Sequence, residues 1–489
     1  MSLTSLLSVA QGALLAHERA VGIIGHNIAN AETPGYTRQR PRLGAATPQN
    51  SPVGQLGRGV DLLGIDRARS GFLDGSWRRE AGLGTRYQTL AQTLGQVSGV
   101  LGEPSDSGLG ASLDSLIDGF HTLASNPTDP TAKAVVFSQV QALTDQFHSI
   151  DGRLDGIAAN IGVELNQVVG DANSLVGELN SLNSQLRRAG GKAPDLLDRR
   201  DLVLDQLSQQ LDVHIIERGQ GTVDVLVGGL QLVSSFGGTQ PLSTSGTGPY
   251  QLQLGNPPIP IAATGGKIAG LQDAFTALGS RGSGSVRATG LRGKLDDLAL
   301  GLVSAINEIH SGYDPTTKPL QPTLTPAPTP LRTIVPLFDP AGVTAGSIRL
   351  NPAVAADPSQ LATGWSTAAG DNSIALRLGE LRSLAVPIPG ATGATSTSPV
   401  VAAGSSAVLS DFYTGAVGAL GITTRDAETR TTSQDVLVAH LGAQRQEASG
   451  VSIDEELVRL IEHQQAYSAA ARLVQVADEM LKELVNLGR

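Results

Sequence analysis

Apolar residues recur at steps of four and three along both ends of the chain. The N-terminal series is Leu3, Leu7, Ala10, Leu14, His17, Val21, Ile24 and Ile28, with His17 alone out of character. The C-terminal series is Ile453, Leu457, Leu460, Gln464, Tyr467, Ala471, Val474, Asp478, Leu481 and Val485. An α-helical turn gathers such positions onto one narrow stripe, which a partner helix covers better than a broad core does. The two ends are therefore expected to pair with each other as a coiled coil. Leu3, Leu7, Leu14, Val21, Ile24 and Ile28 on one helix, and Ile453, Leu457, Leu460, Tyr467, Val474, Leu481 and Val485 on the other, are the residues expected at the interface with other subunits or an export partner.

Between the ends the period changes twice. The first helix runs to about Asn30 and stops at Pro34-Gly35, a pair suited to the centre of a type II turn. Pro41 to Gly64 reads as an irregular Pro/Gly stretch. Helix resumes from about Ser70 to Leu101, again from Leu113 to Leu123, and again at Asp129-Pro130, where proline takes the first helical position. Ile150, Leu154, Ile157, Ile161, Leu165, Val168, Ala172, Leu175, Leu179, Leu182 and Leu186 then predict a rod of roughly 55 Å at 1.5 Å per residue. It ends at Gly190-Gly191, and a shorter helix runs from Pro194 to about Leu211.

From 212 the period falls to two, with Val213, Ile215, Val223, Val225 and Val227 alternating between glycine pairs, so 212–270 reads as short antiparallel strands. Helix returns from Arg287 to His310. Pro315 to Pro340 is read as a Pro/Thr-rich linker, Asn351 to Gly364 as a strand and turn, and Asp371–Leu384 and Ser410–Leu441 as helices. The expected fold is mainly α with a β-rich excursion. Its parts are an N-terminal axial helix (1–40), a helical rod domain (41–211, 286–310 and 370–449), a β-rich segment (212–285), a linker with a reduced outer region (311–369) and a C-terminal axial helix (450–489).

Composition narrows the function. Aromatic residues make up 3% and charged residues 16% of the chain, so the helices pack through Leu, Val, Ile and Ala, and the bland polar surface suits a subunit that buries it against copies of itself. A net charge of −10 argues against nucleic acid, which needs a concentrated basic face. Arg78-Arg79, Arg187-Arg188 and Arg199-Arg200 read as isolated pairs. There is no cysteine, hence no disulfide and no thiolate chemistry. No apolar run is long enough to insert in a membrane, and the N-terminus has no secretory signal pattern. The eight histidines show no metal-ligand spacing, and neither a P-loop nor a nucleophile elbow occurs. Neither a cofactor nor an enzymatic activity is expected.

Two charged motifs read as helix starts. Ser452-Ile453-Asp454-Glu455 is a capping box, with Glu455 reaching back to the Ser452 amide and Asp454 to Glu456 at the positive end of the helix dipole. Asp195 to Asp201 reads as a cluster in which Asp198 and Asp201 answer Arg199 and Arg200.

The segment Asn27-Ile28-Ala29-Asn30-Ala31-Glu32-Thr33-Pro34-Gly35-Tyr36-Thr37-Arg38-Gln39 resembles the N-terminal signature of the axial proteins of the bacterial flagellum: rod, hook and hook-associated proteins. Its Tyr-Thr-Arg-Gln ending is similar to the hook-associated members. Gly450 to Leu457, Gln464 to Tyr467 and Ala477 to Leu481 are similar to the same family, as are Asp195 to Asp201 and Gly370 to Ser373. The motif residues carried over are Asn27, Ile28, Asn30, Pro34, Gly35, Tyr36, Thr37, Arg38 and Gln39. Members often carry an inserted outer β domain before the segment matching Ser347–Pro352. Here only a dozen residues separate Phe338 from Leu350, so that domain is expected to be reduced or missing.

The resemblance implies a structural subunit at the junction of hook and filament, exported unfolded by the flagellar type III apparatus and placed outside the cell. It implies self-association in a junction ring, contact with hook protein and with the adjacent hook-associated protein on the filament side, and a dedicated export chaperone at the C-terminal helix. Three alternatives stay open: a hook or rod protein, with little of the 150–211 block; a helical type III-secreted translocator or adhesin, without the Pro-Gly-Tyr segment; and a flagellar muramidase, which needs a catalytic carboxylate.

Overall fold

The computed structural model describes residues 3–51, 54–245, 250–281, 288–311, 335–366, 368–388 and 406–487. Helix α1 (Leu3–Ala29) leads into strands β1 (Gln39–Ala45), β2 (Gln49–Ser51), β3 (Gly54–Leu56) and β4 (Val60–Arg67). Strands β1 and β4 pair antiparallel with a bulge at Arg42/Leu43, and β2 pairs with β3. This overturns the irregular reading of Pro41 to Gly64. A two-stranded ribbon tolerates Pro41 because one edge of the strand needs no donor, and the alternating burial of β4 is the strand signal that the glycines obscured.

Helix α2 (Gly71–Leu101) starts at Ser70, whose Oγ accepts from Leu73 N, and α3 (Leu109–Ser125) follows. Helix α4 runs unbroken over Pro130–Arg188, 59 residues and about 88 Å long. Asp129 caps it by accepting from Thr131 N at 2.8 Å. Its buried stripe begins with Val136, Val140, Leu143 and Phe147 and flows into the Ile150–Leu186 series, so the rod is longer than the spine read from Ile150 onward. It stops where Gly190 and Gly191 take φ of 60° and 72°, a left-handed region that side chains disfavour. Helix α5 (Pro194–Gln210) packs back on α4.

Strands β5 (His214–Glu217), β6 (Val223–Val227) and β7 (Leu230–Val233) form one antiparallel sheet. Strands β8 (Leu242–Thr244), β9 (Leu252–Leu254) and β10 (Ile259–Ile261) form a second, in the order β10-β9-β8. Two amides on α4 stand in for missing strand neighbours. Asn183 donates to Val223 O and accepts from Val223 N, at 2.9 and 3.0 Å, and Asn173 does the same for Leu242, both at 2.9 Å.

Helix α6 (Gly266–Leu278) lies inside the segment read as β-rich. Ile268, Leu271, Phe275 and Leu278 give it a buried face at helical spacing. Helix α7 (Gly290–His310) follows, and much of the Pro/Thr-rich stretch, 312–334, lies outside the described residues. From 335 the chain is core rather than linker, with Leu337, Phe338, Ile348 and Val354 buried and Phe338 bridged to Leu350. The strand and turn expected from Asn351 is instead helix α8 (Pro352–Ala356), because Asn351 caps it and Pro352 opens it. Helix α9 (Ser373–Gly379) and the short pair β11 (Val386–Pro387) and β12 (Ser406–Ala407) lead to α10 (Leu409–Ser449), which packs along α2. Helix α11 (Ile453–Leu487) then returns to α1. The two are antiparallel: Asn27 meets Glu456 and His17 meets His463. No helix among the described residues is long and apolar enough to cross a membrane.

Candidate assembly site

The seam between α1 and α11 takes up only part of the two apolar stripes. Its buried residues are Ala10, Ala16, Ala20, Ile23, Ile24 and Asn27 on α1, and Glu456, Ala470 and Ala477 on α11. Of the expected interface, Ile24 is buried, and Leu7, Leu14, Val21, Ile28, Leu460, Val474 and Leu481 are half-buried. Ile453, Leu457 and Tyr467 are exposed, Leu457 by 44%. The side chains of Leu3 and Val485 lie outside the described residues. The helices meet through small side chains that let the backbones approach, which rotates α11 and turns part of its apolar stripe outward, with Val458, Ile461, Leu473 and Val476 beside it.

The axial motif is a buried lace, built upward from Asn27 at the end of α1. The Asn27 amide uses all its valences that the chain can reach: Nδ2 donates to Gln39 O at 2.8 Å and Glu456 Oε2 at 2.7 Å, and Oδ1 accepts from Gln39 N at 2.9 Å and Tyr36 Oη at 2.7 Å. Asn30 donates to His26 O and accepts from the Thr33 hydroxyl. The turn at Pro34-Gly35 is closed by Tyr36 N donating to Thr33 O at 3.1 Å, with Gly35 at φ 80°, where a side chain would be strained. Thr37 then gives both its amide and its hydroxyl to Asp198, at 3.1 and 2.5 Å. Arg38 reaches Glu456 through Nε at 2.7 Å and Glu455 through Nη1 at 2.8 Å, and its amide donates to Ser449 O. Gln39 Nε2 donates to Asp195 at 2.9 Å. Burial, then Asp195, Asp198 and Glu456, push the Tyr36 phenol well up, so it stays a donor.

The lace ends in an ion-pair network that joins four elements. Asp195, Asp198, Asp201 and Asp205 recur at steps of three and four on one face of α5. Arg67, at the end of β4, bridges Asp198 and Asp201 at 2.8 and 2.7 Å. Arg69 meets Asp74 and Asp201, and Arg78 on α2 meets Asp205 at 2.6 Å. Arg200 pairs with Asp201 at 2.6 Å and donates to Gly221 O. Arg445 on α10 closes the set on Asp74 and Asp205.

Buried ions each cost several kcal/mol unless paired, so removing one member leaves the others stranded. The electrostatics follow. Burial lowers Arg200 to about 9, with Arg69 and Arg67 adding to it, and lowers Arg69 to about 10 against the pull of Asp74. Burial works to raise Asp74, but Arg69, Arg445 and Arg78 outweigh it and hold the carboxyl below its usual range. At Asp198 burial wins over Thr37 and Arg67, and the carboxyl is raised.

Several readings change. Arg199 turns outward to Glu178 at 2.6 Å and does not answer Asp198, whereas Arg200 does answer Asp201. Arg78 and Arg200, read as members of isolated pairs, are buried parts of one network. Ser452 Oγ accepts from Glu455 N at 3.5 Å, but the Glu455 carboxylate goes to Arg38. Glu456, read as a dipole charge, is 1% exposed and central. Arg67, Arg69 and Arg445 carried no mark in the sequence reading; the spacing of four aspartates along α5 was the signal that buried cations must face it. The arrangement is a set of ion pairs and hydrogen bonds between elements distant in sequence. It holds the α1–α11 pair at a fixed angle to the helical body.

Known proteins match this chain throughout. The model of the flagellar hook-associated protein FlgK helical domain matches residues 94–319. That of the flagellar basal body rod FlgEFG protein C-terminal region matches 443–487, and that of the flagella basal body rod protein matches 7–37. Flagellar hook-associated protein 1 of Bacillus subtilis (strain 168) is 29% identical over 98% of this chain and 97% of its own length. Its namesake in Escherichia coli (strain K12) is 24% identical over 99% of this chain and 100% of its own. Among solved structures, the flagellar hook junction protein FlgK from Burkholderia pseudomallei aligns with 49% of this chain and 44% of its own, at 22% identity and a TM-score of 0.44.

Proposed function

The chain belongs to the flagellar hook-associated protein 1 family, and from that premise we propose how it works as a structural subunit of the flagellum, joining hook to filament so that the filament can assemble. The observation that carries the mechanism is the division of labour at the chain ends. The family motif from Asn27 to Gln39 is spent internally, fixing the α1–α11 pair to the helical body through Glu456 and Asp198. The outward apolar residues of α11, Leu457, Val458, Ile461, Leu473 and Val476, are left for neighbours.

In a junction ring, copies of the chain pack those faces against one another, with hook protein on one side and the adjacent hook-associated protein on the other. The α4 rod, backed by α5 and the two sheets, stiffens the region between them. Before secretion the same α11 face is covered by a dedicated export chaperone, a helix-in-groove contact. A chain truncated after Gly450 then stays soluble and loses chaperone binding in a pull-down, and unchanged binding places the chaperone elsewhere. A hook or rod protein is disfavoured by the α4–α5 block. Electron microscopy of a strain lacking this chain tests the function: intact hooks, no filaments and flagellin shed into the medium support it, and filaments of ordinary number overturn it.

A further inference from the structure

On the α11 side of the seam the buried residues among those described are Glu456, Ala470 and Ala477, so α11 offers the larger Ile23 and Ile24 of α1 no large buried apolar knob that would oppose sliding by one turn. Among the described residues, two polar side-chain contacts link the helices. One is Asn27 with Glu456, anchored in the lace. The other, His17 with His463, joins residues 446 apart in sequence and belongs to nothing described above. His463 lies seven residues after Glu456 and seven before Ala470, at the heptad position that faces α1. In such seams a single polar position fixes register at some cost in stability.

The geometry defines the contact. The two Nδ1 atoms are 3.0 Å apart and the ring centroids 5.2 Å, so the nitrogens lie almost on the line joining the rings and point at each other. A shared metal ion needs both lone pairs to converge from the side at about 2.0 Å from each nitrogen; head-on nitrogens at this distance leave no such point. What fits between them is one proton: one ring donates Nδ1–H and the other accepts.

We propose that His17 and His463 are the positioning pair that sets the register of the axial helices, and that a second proton releases it. Neutral rings hold the contact, and a pair that has taken up one proton still holds it. A pair with two protons has donors facing donors and two like charges in a half-buried seam. The charged groups around the pair are Glu462 and Arg459 on α11 and Glu18 and Arg19 beside His17 on α1. From the β ribbon, α1 meets the backbone of Val60 and Arg58 at Gly12, with Asp61 next in the strand. Burial, then His17, with Arg459 adding to it and Glu462 opposing, lowers His463 below 6.5. A histidine lowered on folding favours the folded state above 6.5, and that contribution is lost as pH falls through the lower folded value.

The test is amide exchange of the full chain at about pH 7.5 and about pH 5, corrected for intrinsic rates, with wild type beside the double variant His17→Gln/His463→Gln. Two glutamine amides can bridge the seam and do not titrate. The expected result is that α1 and α11 of wild type lose protection by at least about fivefold at the lower pH, while the variant holds its protection and helices away from the seam, such as α4, change in neither. Wild-type ends equally protected at both pH values, or ends unprotected at both, overturn the proposal. So does a variant that responds to acid as wild type does.

Discussion

Glu456 shows how much one side chain can carry. It accepts from Asn27 on α1 and Arg38 in the lace while opening α11, so Glu456→Ala takes from the Arg38 guanidinium its buried carboxylate, leaving the exposed Glu455, and from Asn27 one of its two acceptors. Breaking a buried pair in this way costs roughly 3–5 kcal/mol. Amide exchange should then rise in α11 and around residues 27–39 while α4 stays protected, and an unchanged α11 contradicts the assignment. Within the network, Asp74 and Asp198 separate by sign. Asp74, lowered on folding, stabilises the fold above its ordinary value of 3.8, and that contribution is lost as pH falls through its folded value. Asp198, raised by burial, runs the other way, and its ionised form opposes folding at neutral pH. Urea unfolding at neutral pH should show Asp74→Asn destabilised by about 3 kcal/mol and Asp198→Asn by less. The reverse order refutes the electrostatic reading.

At the scale of elements, helix positions were legible wherever apolar residues recurred at three and four, as in α2, α4, α7 and α10. What escaped was set by partners distant in sequence. The α1–α11 stripe could be read, but which residues face inward depends on close approach at Ala470 and Ala477. The lace was legible as a motif, yet its role was hidden because Asp198 and Glu456 lie far along the chain from Thr37 and Arg38. The ribbon of β1 and β4 was lost among prolines and glycines. The seam makes a contrast: Ala470→Glu should open the helix pair, since Ala470 is buried against α1 and a carboxylate there is desolvated, whereas Leu457→Asp, at an exposed position, should leave the isolated chain's pair intact. Limited proteolysis near residues 445–450 reads the difference, with cleavage expected in the first variant alone; equal cleavage of the two would return the seam to the Leu457 stripe.

For the whole molecule, the two chain ends, the lace and the α5 carboxylate face form one mechanical unit. The helical body determines the angle of the axial pair, and the axial pair presents the outward face of α11. An axial subunit with that angle released would be made and exported but could not seat on the hook. The strain lacking this chain can be complemented with Glu456→Ala, and the subunit measured both in the medium and on purified hooks by immunoblot. The account predicts wild-type amounts in the medium, almost none on hooks, and no filaments. Wild-type occupancy of hooks with normal filaments would contradict it.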